Sequence, residues 1–131
     1  MSTAELRQRV SPKRILVVED EIVAALSIRT VLTADGHSVE MAQDAERALL
    51  LLQASPHDLV LTDFILPGMD GLELADTIKQ RFPGMPIVLI TAYAEKIGGG
   101  MGNISNVDLA LSKPFSVADL QHAIQKVFPA S

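Results

Sequence analysis

The stretch Leu59-Val-Leu-Thr-Asp-Phe-Ile-Leu-Pro-Gly-Met-Asp-Gly-Leu-Glu-Leu, ending at Leu74, constrains this chain more than any other. A short apolar run carries Asp63 to the point where Pro67 and Gly68 break the pattern, which puts a carboxylate at the end of a buried strand. An unpaired charge is costly there. In open parallel sheets, ligands sit outside the carboxyl ends of the strands, and the loops there carry most of the chemistry. Asp63 is therefore the candidate reacting group, and the rest of the chain must build a site around it.

The same form recurs along the sequence. Ile15-Leu16-Val17-Val18 ends abruptly in Glu19-Asp20-Glu21, a buried strand with acids at its carboxyl end. The next segment has Ala24, Ile28, Val31 and Leu32 on helical spacing and stops at Asp35-Gly36. His37 to Ala42 reads as a second strand, and Asp44 can cap a helix with Ala45, Ala48, Leu49 and Leu52 on one face. Leu59 to Thr62 is the third strand. Asp70 then caps a helix with Leu72, Ala75 and Ile78 inward, ended by Pro83-Gly84. Pro86 opens a fourth strand, Ile87 to Ile90, which finishes at Thr91. Val107 to Leu111 is the fifth and leads to Ser112-Lys113-Pro114. Ser116 with Asp119 makes a capping-box-like start to a last helix through Phe128, with Leu120, Ile124 and Val127 on its core face.

Glu95 to Asn106 breaks the rhythm with Gly98, Gly99, Gly100 and Gly102. Each glycine inside a helix costs about 1 kcal/mol relative to alanine, so a helix here is expected to be short or mobile.

Five strands alternating with five helical segments predict an α/β fold, a doubly wound five-stranded parallel sheet flanked by helices. Its 131 residues are enough for one domain with a real core, taken as residues 13–131 after a flexible tail over 1–12. The composition is 48% hydrophobic, with no cysteine and no apolar run of membrane-spanning length. Met1 to Val10 is too polar for a signal peptide, and a cytoplasmic location is the default expectation. Arg7, Arg9, Lys13 and Arg14 against Glu5 give the first fourteen residues +3, leaving −8 of the net −5 for the rest. So acidic a body argues against a nucleic-acid surface, and the basic tail reads as a solvated terminus or a contact for an acidic partner.

Right-handed crossovers bring the strand ends to one edge, which collects Glu19, Asp20, Asp63, Thr91 and Lys113. Three carboxylates against one ammonium leave a local charge of about −2, and a divalent cation resolves the repulsion. Oxygen ligands without nearby His or Cys suit a hard ion, Mg²⁺, of the kind that shares its site with phosphate. The Thr91 hydroxyl and the Lys113 ammonium both suit phosphate oxygens.

Glu19-Asp20-Glu21 after a strand, Asp63 before Ile65-Leu66-Pro67-Gly68-Met69-Asp70-Gly71, Thr91-Ala92, and Lys113-Pro114-Phe115 together resemble the receiver domain of two-component response regulators. The resemblance covers Lys13 to Phe128, and four motifs in order at these separations are specific where one alone is not. It implies a flavodoxin-like receiver fold in which Asp63 accepts a phosphoryl group from a phosphohistidine of a histidine kinase or histidine phosphotransfer protein. It further implies that Glu19, Asp20, Asp63 and the Ile65 carbonyl hold Mg²⁺. Thr91 and the Ala92 amide would bind phosphoryl oxygens, Lys113 would pair with them, and the Lys113-Pro114 bond would be cis. Such a protein is no enzyme beyond its own phosphorylation and dephosphorylation. It signals to a downstream protein target through contacts, without nucleic acid or membrane; a phosphorelay intermediate, a diffusible regulator and a domain of a larger protein are the alternatives, of which the initial Met1 and the tail favour a stand-alone regulator. In the family the first helix docks on the phosphodonor, and Ile22, Val23, Ala25 and Leu26 add apolar surface that suits this role.

Two departures matter. Receivers of this kind usually carry Tyr or Phe three positions before the lysine, and here Ala110 stands there, so the usual aromatic relay is missing. An ordering or shift of Glu95 to Asn106 is the alternative route for the signal, a difference that amide exchange would detect. Ile65 and Tyr93 flank the expected path of an attacking water beside Asp63, and Ile65 offers it no side-chain hydrogen bond, which implies a long-lived phosphoryl group. A haloacid-dehalogenase-type phosphohydrolase would need a second Asp two residues after the nucleophile, where Ile65 stands. A receiver-like interaction domain that is never phosphorylated would have no need of Asp20, Asp63, Thr91 and Lys113 together. Glu21 is read as serving the first helix's positive end, Asp70 as a cap and Phe115 as packing. His37, His57 and His122 fall in no ligand spacing and are expected in surface or helper roles.

Overall fold

The computed structural model describes residues 10–92 and 106–129. Five strands, β1 (Arg14–Val18), β2 (Ser38–Ala42), β3 (Leu59–Asp63), β4 (Ile87–Thr91) and β5 (Leu109–Ser112), form one sheet in the order β2-β1-β3-β4-β5. Every neighbouring pair is parallel. Four helices are seen among the described residues: α1 (Ile22–Ala34), α2 (Ala45–Ala54), α3 (Gly71–Arg81) and α4 (Val117–Val127). The fifth helical segment expected from sequence, over Glu95 to Asn106, lies outside the described residues except for Asn106, as do Tyr93 and residues 1–9 of the tail.

Successive side chains of a strand point to opposite faces, and β1 shows the result. Ile15 and Val17 enter one layer with Leu59, Leu61, Ile28 and Leu32 of α1, and Leu120 and Ile124 of α4. Leu16 and Val18 enter the other with Val60, Ala48 and Leu52 of α2, and Leu74 and Ile78 of α3. Both faces of β1, β3 and β4 are thus covered, which is why these strands read as continuous apolar runs rather than alternating ones. Asp44 and Asp70 cap α2 and α3 by accepting from the amides of Arg47 and Glu73, each at 2.8 Å. Ser116 and Asp119 form a full capping box at α4. Gly36, at φ +97°, ends α1 in the left-handed region that a side chain disfavours.

Several expectations are corrected in detail. The inward residue of the first turn of α1 is Ala25 rather than Ala24, and α3 buries Leu74 where Leu72 is only partly covered. A dense apolar run leaves the phase of a helix ambiguous by one or two positions, and packing decides it. β2 starts at Ser38, and β5 spans Leu109–Ser112 rather than Val107 to Leu111. The Asp108 carboxylate takes the Ile87 amide at 2.7 Å and the Lys79 ammonium at 3.0 Å, so a side chain rather than the strand backbone accepts that amide.

Two histidines are not on the surface. His57 is inserted between Glu40, at 2.7 Å from Nε2, and the Ser55 carbonyl, at 3.0 Å from Nδ1. His37 is buried, and its Nδ1 accepts from the Lys13 amide at 3.0 Å, which requires the proton on Nε2. Burial lowers the His37 pKa, the nearby Lys13 charge adds to this, and Asp35 opposes it. Its folded pKa is below the unfolded one, so this contribution to stability is complete above the ordinary histidine range and is lost as pH falls through the folded value. Melting temperature should therefore fall more steeply below about pH 6.5 in the parent than in His37→Asn, whose amide oxygen can still accept from Lys13. Parallel curves for the two proteins would refute this.

Candidate functional site

Parallel pairing places the carboxyl ends of all five strands on one edge. The chain leaves β1 toward β2 on one side, and β3 lies on the other, so the order switches between β1 and β3; a crevice opens at such a point. Glu19 and Asp20 follow β1, and Asp63 ends β3 directly beside them. Oxygens of these three carboxylates lie within 4.8 Å of one another. Thr91 ends β4 and is buried; its carbonyl accepts from the Lys113 amide at 2.9 Å, which ties the end of β5 to that of β4. From there the Lys113 ammonium reaches Asp63 Oδ2 at 2.9 Å, and Glu19 Oε2 lies 3.7 Å away.

Glu19 is 3% exposed, and its Oε1 accepts from the Glu21 amide at 3.1 Å. Its Oε2 is within ion-pair range of Lys113 but beyond hydrogen-bond length, so it has no hydrogen-bond partner among the described residues. Burial pushes the Glu19 carboxyl up to about 7, and the neighbouring Asp63 carboxylate adds to the rise; the Glu21 amide and Lys113 oppose it. Burial by itself would lower the Lys113 ammonium. The hydrogen bond and charge of Asp63, helped by Glu19 and Glu21, outweigh this and hold it above its ordinary value. Among the described residues the cluster is short of positive charge, with one buried carboxylate oxygen left without a donor. Hard oxygen donors in that state fit a hard divalent cation such as Mg²⁺.

The other residues singled out from sequence fall as follows. Ile65 is 67% exposed on the loop after Asp63, and Ala92 is exposed just beyond Thr91. Lys113-Pro114 is cis, as the resemblance implied. Glu21 stands at the N-cap of α1 but makes no side-chain cap bond, so only its charge can act on the helix. Phe115 packs against the α1 and α4 layer. Ala110 pairs with Leu89 and is half-buried on the face opposite Leu111.

Sequence reasoning missed a mainly apolar cleft of about 600 Å³ between α1 and the start of α4, lined by Ala24, Ser27, Ile28, Phe115, Val117 and Leu120 among others. Glu19 and Lys113 also line it, so it adjoins the acidic site. Ile22 at 50%, Val23 at 73%, Leu26 at 36% and Val117 at 55% exposure add apolar surface at the starts of these two helices. The run Ile22-Val23-Ala24-Ala25-Leu26 signalled the α1 part; no local signal could pair it with Val117, some ninety residues on.

Comparison with known proteins agrees with this geometry. Residues 15–125 match the family model described as the response regulator receiver domain. The chain is 36% identical over 109 residues to the response regulator MprA of Mycolicibacterium vanbaalenii, covering 83% of this chain and 47% of that protein. It is 33% identical over 112 residues to the transcriptional regulatory protein TcrA of Mycobacterium tuberculosis, covering 86% and 44%. The chain thus spans about half the length of the curated relatives it matches. Among solved structures, the chemotaxis response regulator CheY4 of Vibrio cholerae superposes with a TM-score of 0.82 at 25% identity, covering 89% of this chain and 99% of that one. The receiver domain of NtrX from Brucella abortus gives 0.79 at 31% identity, with coverage of 89% and 99%.

Proposed function

The chain belongs to the response regulator receiver domain family, a family of two-component phosphoacceptors, and on that premise we propose that Asp63 receives the phosphoryl group. One observation carries the assignment: Asp63 is the carboxylate that meets both the Lys113 ammonium, at 2.9 Å, and the acidic pair after β1. In the transfer, the bond from phosphorus to the donor imidazole nitrogen breaks as a bond from phosphorus to an Asp63 carboxylate oxygen forms. The imidazole keeps the electron pair.

Glu19, Asp20, Asp63 and the Ile65 carbonyl are the groups that would hold Mg²⁺, which when bound neutralises charge on the carboxylates and the incoming phosphoryl oxygens. Lys113 meets the Asp63 carboxylate at 2.9 Å before the reaction and would pair with a phosphoryl oxygen after it. Thr91, at the end of the neighbouring strand, and the amide of Ala92 just beyond it would receive the remaining oxygens. With little covalent chemistry to perform, the protein contributes position and charge.

A histidine kinase or histidine phosphotransfer protein is the proposed donor, docking on the exposed apolar start of α1 beside the cleft, and a protein target receives the signal. A receiver domain over 13–131 after a tail over 1–12, and a cytoplasmic setting, complete the proposal. No helix among the described residues is long and apolar enough to cross a membrane. Phosphotransfer from each histidine kinase of the source organism tests it. One kinase is expected to label the chain on an acid-stable, alkali-labile group, and failure with every competent donor would favour an interaction domain that is never phosphorylated.

Hydrolysis returns Asp63 to a carboxylate by attack of water oxygen on phosphorus, releasing inorganic phosphate. Ile65, exposed beside Asp63, cannot orient that water. The phosphoryl group should therefore outlast that of Ile65→Asn by about tenfold, measured as decay after removal of the donor. Loss from the parent within seconds would contradict this.

A further inference from the structure

The loop that leaves the sheet after Asp63 returns to it at Gly71. Its departing leg is pinned by the Phe64 amide, which donates to the Ile90 carbonyl at 2.9 Å, and by Thr62 Oγ1, which donates to the Asp63 carbonyl at 3.0 Å. Its returning leg is pinned to the departing one, because the Gly71 amide donates to the Phe64 carbonyl at 2.7 Å. The positive-φ glycines of the described residues are Gly36, Gly68 and Gly84, so Gly71 is not required for its backbone angles. Space is the constraint. A Cβ at Gly71 would come closer than 3.0 Å to the Asp63 carbonyl oxygen, to Phe64 Cα and to Leu89 Cδ1.

Two of those three atoms are backbone and belong to the phosphoacceptor and its neighbour. Leu89 could turn away, but the Asp63 carbonyl could not, because Asp63 is paired with Ile90 in the sheet. Any side chain at position 71 must push the Asp63–Phe64 backbone outward or lift the start of α3. Either movement shifts the loop that carries Ile65, and the first also moves the Asp63 carboxylate relative to Lys113. We infer that Gly71 is a positioning residue of the phosphorylation site: its missing Cβ lets the first turn of α3 press on the backbone of Asp63 and Phe64 and so sets where the acceptor carboxylate stands.

The inference rests on the reading of Asp63 as phosphoacceptor, and its test separates the two. Gly71→Ala is compared with Gly36→Ala, which strains a positive-φ position with nothing within 4 Å of the added carbon and lies at the far end of α1. Both are examined as the full chain, folded by circular dichroism, for Mg²⁺ affinity, phosphoryl uptake from acetyl phosphate, and crystal structure. Gly71→Ala should slow uptake on the order of 10- to 100-fold, weaken Mg²⁺ binding, and lengthen the 2.9 Å Lys113–Asp63 contact. Gly36→Ala should lose thermal stability and keep all three. Parental uptake with an unchanged contact in Gly71→Ala overturns the inference, as does an equal functional loss in Gly36→Ala. Failure of Gly71→Ala to fold where Gly36→Ala folds also overturns it, since the glycine would then serve the fold alone. Recovery of uptake in Gly71→Ala/Leu89→Ala does the same, by assigning the pressure to Leu89. If the parent itself takes no phosphoryl group, the reading of the site fails, and the Lys113–Asp63 distance in Gly71→Ala still decides the positioning.

Discussion

Asp63→Asn is expected to abolish phosphoryl uptake from acetyl phosphate and from a kinase alike. The amide is neutral and a poor nucleophile, and it removes the charge that Lys113 meets at 2.9 Å. Lys113→Ala should leave the acceptor present and slow uptake by about 100-fold, the usual cost of deleting one preorganised donor aimed at developing charge. Intact mass after incubation with donor and Mg²⁺ reads both effects. Uptake by Asp63→Asn at the parental rate would move the acceptor elsewhere. A Lys113→Ala rate equal to the parent's would confine that ammonium to a structural pairing.

The acidic cluster should also set stability against function. Without metal, three carboxylates share one ammonium among the described residues, and burial opposes ionisation of Glu19. Asp20→Asn lowers this repulsion without touching the core, because Asp20 is exposed. The metal-free variant should melt a few degrees above the metal-free parent while its Mg²⁺ affinity drops by about 100-fold. Thermal melts with excess Mg²⁺ and with chelator separate the two effects: added Mg²⁺ raises the parent's midpoint and leaves that of Asp20→Asn almost unmoved. An equal rise in both would remove Asp20 from the ligand set. A metal-free midpoint below the parent's would show that repulsion is not what the site costs.

The site was legible because its parts are strand ends. A strand buried on both faces advertises itself as a short apolar run, and a polar residue that terminates it stands at the edge of the sheet whatever the neighbouring strands do. Asp63, Thr91 and the Glu19-Asp20 pair could thus be gathered before any strand order was known. Helix starts at Asp44, Asp70 and Ser116 were equally legible, since a cap bonds an amide two or three residues away. Helix phase was less so. Ala24 and Ala25, or Leu72 and Leu74, differ only in which neighbour fills the groove beside them.

The histidines show the opposite case. Nothing next to His57 in sequence announces that Glu40 will meet its ring, and nothing next to His37 announces the Lys13 amide. Both partners lie on other strands or their leads. The cleft between α1 and α4 and the restriction at Gly71 are of the same kind, because each depends on how closely two distant segments approach.

Local physics by itself determined the alternation of strands and helices, the caps, and the five polar groups delivered to one edge, because periodicity, capping and strand termination act over a few residues. The tertiary structure alone decided the order β2-β1-β3-β4-β5, the burial that leaves Glu19 Oε2 without a hydrogen bond among the described residues, and the reach of Lys113 across β4 to Asp63. It also decided that the first turn of α3 bears on the backbone of Asp63 and Phe64. These are distances between segments far apart in the chain, and only packing, which weighs all of them at once, sets such distances.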